Sequence, residues 1–199
     1  MLLATTCPVC GAEGPAPCAP CAATLRPAPS LAPPEGLDAC LALLRFEGAG
    51  RQLVVRLKYR NHRSAVRGLA SAMASLVEST TGLDVVTWAP TTAVRRRDRG
   101  FDQAELLARA VAKPLRLPVR SLLRRGDGPP QTGRALAGRL EGPRFSIRRR
   151  GCPRGVLVVD DVVTSGATLG AAARSLRAAG ATVVVGLAAA WTPPPPSPS

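Results

Sequence analysis

Asp160 and Asp161, followed at once by a short run with Thr164, Ser165, Gly166 and Thr168, are the residues of this chain best equipped to hold a charged ligand. An ionised carboxylate only accepts hydrogen bonds, so two adjacent ones suit a ligand with paired hydroxyls, such as the vicinal pair of a ribose. The residues after them suit an anion. Loop N–H groups can converge, a helix start adds unpaired N–H groups and a positive dipole end, and the hydroxyls of Thr164, Ser165 and Thr168 supply more donors. Acids beside a bare phosphate would repel it, so the two halves make sense if one ligand carries both phosphate and hydroxyls. The stretch therefore reads as a ribose 5-phosphate site, with Asp160 and Asp161 on the sugar and Val163, Thr164, Ser165, Gly166, Ala167 and Thr168 around the phosphate. The plainer alternative is a strand–turn–helix corner with capping hydroxyls and surface acids.

The flanking sequence is suited to positioning these groups. Residues 156–159 are an uninterrupted β-branched and aliphatic run, as in a strand buried on both faces of a parallel sheet, and the central strand is read over residues 155–160. The acids then fall at the carboxyl edge of the sheet, where open α/β folds bind ligands. Gly166 stands where the backbone must turn tightly, and residues 169–179 read as an Ala-rich helix stopped by Gly180. Upstream, residues 38–46 read as a strand and 48–58 and 64–79 as helices. Ser64 would cap the second helix, and Val66, Leu69, Ala70, Met73, Leu76 and Val77 would form its apolar stripe. Residues 84–88 read as a second strand, 102–112 as a helix and 117–123 as a third strand. Residues 181–189 read as a strand packing beside the central one, with Trp191 closing the core. Residues 124–144, rich in Arg, Gly and Pro, read as a long loop of the kind that forms lids.

Cys7, Cys10, Cys18 and Cys21 form two Cys-x-x-Cys pairs seven residues apart. Each pair can aim two thiolates at one ion, and two pairs complete a four-sulfur zinc shell; redox-active or simply unpaired thiols are the alternatives. Such a zinc would be structural, because four protein ligands leave no open position, and the short ribbon would depend on it to fold. Cys40 reads as a buried apolar residue. The expected organisation is a ribbon over residues 1–25, a Pro-rich linker over 26–37 without regular structure, a main domain over 38–191 and a disordered Pro-rich tail over 192–199.

With 27 Lys and Arg against 13 Asp and Glu, the chain carries a net charge of +14. That suits an anionic ligand but exceeds what one small phosphate needs, so nucleic acid or an acidic protein surface stays open as a partner. Aromatic residues are only 3%, which leaves few platforms for stacking bases. No apolar run approaches the roughly 20 residues of a membrane span, so no membrane insertion is expected. Residues 1–6 are too short and lack the basic flank of a signal peptide, which makes a cytoplasmic protein the simplest reading. The single histidine, His62, lies between Arg60 and Arg63 and reads as a solvated loop residue rather than a catalytic base.

The apolar strand, two acids, two apolar residues and Thr-x-Gly-x-Thr of residues 156–168 resemble the phosphoribosyl-diphosphate motif of type I phosphoribosyltransferases. A wider resemblance, to the ComF family, rests on three further stretches. These are residues 57–60 (Leu-Lys-Tyr-Arg), residues 96–108 around Arg99-Gly100-Phe101-Asp102-Gln103, and residues 122–125 (Leu-Leu-Arg-Arg) followed by Pro130-Gln131. That family joins an N-terminal four-Cys zinc ribbon to a phosphoribosyltransferase domain, and the order and spacing match over roughly residues 7–190. The fold it implies is α/β, a parallel sheet flanked by helices. Three positions depart from the family pattern: Thr87-Trp88-Ala89-Pro90 at the second strand, Asp102 where Asn is usual, and Arg139-Leu140-Glu141-Gly142 where Arg-x-x-Asn is usual.

The resemblance implies phosphoribosyl diphosphate with Mg²⁺ as ligand and displacement of pyrophosphate by a nitrogen nucleophile. Arg95, Arg96, Arg97 and Arg99 would face the pyrophosphate, and Arg124, Arg125 and Arg139 would sit on the lid. Asp160, Asp161, Arg99 and Arg124 are the catalytic candidates. Mg²⁺ would bridge sugar and pyrophosphate oxygens and need few protein ligands. Two further functions stay open: a non-catalytic module that binds a ribose phosphate or nucleic acid, suited to the DNA uptake with which the family is linked, and a scaffold with a vestigial site.

Overall fold

The computed structural model describes residues 6–56, 63–126, 143–148 and 151–193. The expectations for residues 57–60 and His62, for Pro130, Gln131 and residues 139–142, and for the tail beyond residue 193 lie outside the described residues.

The fold is α/β, a parallel sheet flanked by helices. Four strands pair in the order β1-β6-β5-β2: β1 is Ala39–Arg45, β2 Val85–Trp88, β5 Gly155–Val163 and β6 Val183–Trp191. All three pairings are parallel. Two short strands, β3 (Leu123–Arg125) and β4 (Phe145–Ile147), form a separate antiparallel pair. The helices are α1 (Ala19–Ala23), α2 (Gly48–Arg56), α3 (Arg63–Ala74), α4 (Ala93–Arg99), α5 (Gln103–Leu115) and α6 (Ala167–Ala178).

Because side chains alternate along a strand, each face of the sheet builds its own core. Leu157 and Val159 of β5 join Val86, Trp88 and Leu187 under α2, α3 and α5. Val156 and Val158 turn the other way and pack with Val85, Val184 and Leu169 under α6. All four residues of the 156–159 run are fully buried, as the unbroken apolar run predicts for a central strand.

Several expectations are corrected. β5 does not end at Asp160: Asp160 pairs with Ala188 as part of the strand, and the ladder runs on to Val163 and Trp191, so Asp161 stands on the strand as well. Ser64 lies inside α3, which already includes Arg63, and so does not cap it. Residues 117–123 add no strand to the main sheet. Val119 makes a single parallel bridge with Val86, and Thr87 Oγ1 accepts the Leu122 N–H at 3.3 Å. The basic stretch after β2 folds as the short helix α4, with Thr92 capping its start and Gly100 (φ 74°) ending it. The start of the linker is ordered against β1: Ala28 N donates to Leu43 O and Arg45 N donates to Arg26 O. The linker's end lies along α6, held by Arg177, whose side chain donates to Gly36 O at 3.1 Å and to Asp38 Oδ2 at 2.7 Å.

Gly155, the first residue of β5, shows how closely the sheet edge is built. A Cβ there would collide with the Gly82 carbonyl, and its N–H donates to Asp84 Oδ2 at 2.8 Å. Among the described residues no helix is long and apolar enough to cross a membrane.

Candidate ligand-binding site

The carboxyl ends of β2 and β5 and the first turns of α5 and α6 meet around two adjoining cavities. The first, about 240 Å³, is lined by residues 162–169 together with Asp160 and Pro143. It therefore contains the whole sequence-predicted cradle: Val163, Thr164, Ser165, Gly166, Ala167 and Thr168.

The cradle exists because of how α6 begins. Its N-cap is Gly166, in the left-handed region at φ 75°, with no side chain to cap the helix. Its neighbours differ. Thr92 caps α4, and Asp102 caps α5 by accepting from Ala104 N at 3.1 Å and Glu105 N at 3.4 Å. In α6 the one nearby side chain is Ser165, whose Oγ accepts from Ala167 N at a long 3.4 Å. A twelve-residue helix with an uncapped start carries N–H groups that lack helical acceptors and a positive dipole end, here opening on the cavity. Gly166 is also closely backed: a Cβ on it would collide with Pro34 Cγ and lie 3.1 Å from Pro34 Cβ.

The second cavity, about 230 Å³, shares Asp160, Val162 and Thr168 with the first and adds Asp161, Asp102, Arg95, Arg99 and Arg125. Asp160 is buried and Asp161 half-buried. Asp161 N donates to Asp160 Oδ1 and Val162 N to Asp161 Oδ1, both at 2.8 Å. No ion pair among the described residues involves either acid, so their outer oxygens are not tied up in the protein's own salt bridges. Burial raises the Asp160 carboxyl well above the usual range, and the Asp161 charge beside it adds to the shift. Burial also raises Asp102. Burial lowers the Arg125 guanidinium, with the nearby Arg95 charge pushing the same way. The second cavity thus gathers three carboxylates, Asp102, Asp160 and Asp161, and three arginines, Arg95, Arg99 and Arg125, in one lining.

The predicted arginines divide. Arg95 and Arg99 line the second cavity. Arg96 and Arg97, on the same helix, do not line it; both are exposed, and Arg96 pairs with Glu105 at 3.7 Å. Arg124 is exposed on β3 and lines neither cavity, whereas its neighbour Arg125 lines the second and donates to Pro90 O at 3.4 Å. Asp102 and Gln103, which the sequence marks only through the resembling stretch 96–108, also line the second cavity. Nothing in their types separates them from an ordinary helix cap and its successor.

The four N-terminal cysteines converge: one Sγ from each of Cys7, Cys10, Cys18 and Cys21 lies within 4.8 Å of the others. Cys10 and Cys18 Sγ are 3.7 Å apart, close to the edge of about 3.8 Å expected for a sulfur tetrahedron with bonds near 2.3 Å. Cys7 Sγ accepts N–H bonds from Val9 at 3.5 Å and Cys18 at 3.4 Å. Burial would raise the Cys7 thiol, but these N–H donors and that of Cys10 outweigh it and bring it to about 6. Cys21 is pushed up to about 12, first by its contact with Cys18, because four sulfurs cannot all shed protons side by side without a cation. The donor set fits a metal ion. Cys40 is buried in the core and apart from the cluster.

Residues 98–196 match the family described as the phosphoribosyl transferase domain. The match covers α5, β5, α6 and β6, and with them Asp160, Asp161 and the cradle. No curated protein matches the chain. Among solved structures, the chain is similar to the allosteric regulatory enzyme of purine biosynthesis, with 23% identity and a TM-score of 0.43 over 68% of this chain and 30% of that one. It is also similar to the purine phosphoribosyltransferase from Pyrococcus horikoshii, with 17% identity and a TM-score of 0.34 over 61% of this chain and 69% of that one.

Proposed function

We propose that this chain binds phosphoribosyl diphosphate with Mg²⁺ and transfers its phosphoribosyl group to a nitrogen acceptor, releasing pyrophosphate. One observation carries the reading: an uncapped helix start at Gly166 and a carboxylate pair share a pair of adjoining cavities, the second of which also gathers Arg95, Arg99 and Arg125. A phosphate, a diol and a pyrophosphate in one molecule match those three features in order. The domain match over residues 98–196 supports the same class of ligand.

In this reading the 5-phosphate takes the N–H groups of residues 164–168 and the hydroxyls of Thr164, Ser165 and Thr168. Asp160 and Asp161 accept from the ribose hydroxyls. The bond from the anomeric carbon to pyrophosphate breaks with its electron pair leaving on the pyrophosphate oxygen. The acceptor nitrogen's lone pair forms the new bond and its proton passes to solvent. Charge grows on the leaving group, where Arg95, Arg99 and Arg125 offset it; preorganised donors aimed at developing charge are an enzyme's strongest electrostatic lever. Bound Mg²⁺ would neutralise part of the same charge; Asp102, Asp160 and Asp161 are the carboxylates lining that cavity that could help hold it.

The N-terminal residues 1–25 form a structural Zn²⁺ ribbon held by Cys7, Cys10, Cys18 and Cys21. Residues 26–37 link it to a transferase domain over residues 38–191, and residues 192–199 are a tail. The chain is a ComF-type protein of the cytoplasm. A second reading, a nucleic-acid-associated module serving DNA uptake, is favoured by the exposed Arg95, Arg96 and Arg97 of α4 and the charge of +14. Calorimetry with phosphoribosyl diphosphate and Mg²⁺, followed by pyrophosphate release against a panel of amines and nucleobases, tests the first reading. Binding with release supports transfer, binding without release leaves the binding module, and no binding removes both uses of the cavity. Salt-sensitive DNA binding that falls when Arg95, Arg96 and Arg97 are neutralised would support the nucleic-acid role.

A further inference from the structure

The end of the linker is folded against the back of the phosphate cradle. Leu37 N donates to Pro34 O at 3.0 Å and closes residues 34–37 into a tight turn, with Gly36 at φ 89°, where glycine is favoured. The turn lies along one face of α6. A Cβ on Gly166 would collide with the Pro34 ring, one on Gly170 would meet Glu35 O at 3.4 Å and Pro34 Cβ at 3.5 Å, and one on Gly36 would meet Ala173 Cβ at 3.2 Å. Positions 166, 170 and 173 fall on the same helix face, and their small residues let the turn come this near. Pro34 lines neither cavity, so its effect on a phosphate held there must pass through Gly166.

Leu37 is buried beside Gly186 and anchors the end of the turn in the core. Arg177 holds the backbone of the turn in line. Its Nε donates to Gly36 O at 3.1 Å, its Nη2 to Asp38 Oδ2 at 2.7 Å and its Nη1 to Thr182 O. Asp38 Oδ2 also accepts the Val184 N–H at 2.7 Å, so one guanidinium ties the turn to both α6 and β6. The rigid fork of arginine fixes direction as well as attachment. The other tie, Glu35 to Arg174 at 3.6 Å, joins two exposed side chains and counts for little. We propose that Arg177 is a positioning residue for the phosphate cradle. It holds the Pro34 ring against Gly166, and so keeps the left-handed turn and the N–H groups after it aimed into the first cavity. Arg177 stands roughly 16 Å along α6 from Gly166 and acts only through the linker. The inference rests on the ribose-phosphate reading of the site.

Calorimetric titration of wild type, Arg177→Ala, Pro34→Gly and the double variant with ribose 5-phosphate, and separately with Mg²⁺ pyrophosphate, tests it. Arg177→Ala should bind ribose 5-phosphate about 2- to 10-fold more weakly, the range for one net hydrogen bond lost from the cradle, and pyrophosphate within about twofold of wild type. Pro34→Gly should show the same selective loss. Adding Arg177→Ala to it should cost less than about twofold more, because the ring through which Arg177 acts is gone. Arg177→Lys, which keeps one donor group but not the fork, should fall between wild type and Arg177→Ala. Wild-type affinity in Arg177→Ala overturns the proposal. So does an equal loss for both ligands, the mark of general loosening, and so does a loss that adds in full to that of Pro34→Gly. Should Arg177→Ala fail to fold, Arg177→Lys takes its place in the cycle and the same outcomes decide. If wild type does not bind ribose 5-phosphate, the reading of the whole site falls before any variant is compared.

Discussion

Replacing Gly166 by alanine probes the joint between the phosphate cradle and the linker. Gly166 sits at φ 75°, where an L-residue costs about 1–2 kcal/mol. The added Cβ would also collide with Pro34 Cγ, part of a rigid ring with no rotamer to escape into. Forcing a methyl group into a filled space costs about 1–3 kcal/mol. Together Gly166→Ala should destabilise the fold by roughly 2–5 kcal/mol, a fall in Tm of about 4–20 °C for a chain of this size. The variant should also lose affinity for phosphoribosyl diphosphate, because relief of the clash must shift either the linker or the turn that aims the cradle N–H groups. Removing the ring in a Gly166→Ala/Pro34→Ala double variant should return the collision part but not the backbone part. Thermal melting and calorimetry on wild type, both single variants and the double variant form a complete cycle. If Gly166→Ala melts and binds like wild type, or if Pro34→Ala rescues nothing, the described contact between linker and cradle is wrong.

Three other outcomes are expected. Purified chain should carry a single Zn²⁺, and Cys18→Ser should release it, while Cys40→Ser should not; metal analysis with a chromogenic chelator decides this, and full retention by Cys18→Ser would refute the cluster. Asp160→Asn should melt above wild type at about pH 8, with the gap closing toward about pH 4. A carboxyl whose folded pKa is raised gives stability that is complete below its unfolded value and is lost as pH rises through the folded one. The same variant should bind ligand more weakly, and a constant gap in Tm across pH would contradict the assigned burial. Arg125→Ala should weaken pyrophosphate binding by about tenfold or more, the loss of a charge-assisted hydrogen bond, whereas Arg124→Ala should change it by less than about twofold. Equal effects in titrations would show that the two side chains are not separated as described.

Local features of the chain could be read without the fold; features set by register could not. The 156–159 run announces a central strand because nothing polar interrupts it, and the acids and hydroxyls after it announce a ligand. That β5 continues past Asp160 could not be seen, because the pairing that carries it to Val163 is supplied by Ala190 and Trp191 of β6. The 117–123 stretch is apolar enough for a strand, yet its backbone reaches β2 only at one bridge and a Thr87 hydroxyl. Adjacent Arg124 and Arg125 are chemically identical on paper, and only the two-residue period of β3 turns one to solvent and the other to the cavity. The contact of Pro34 with Gly166 joins residues far apart in sequence and leaves no local signal.

A crystal structure of the chain soaked with phosphoribosyl diphosphate and Mg²⁺ tests the central claim most directly. The account predicts the 5-phosphate on the N–H groups of residues 164–168, the ribose hydroxyls on Asp160 and Asp161, and the pyrophosphate toward Arg95, Arg99 and Arg125. A phosphate bound elsewhere, or a cradle left empty at saturating ligand, would contradict it.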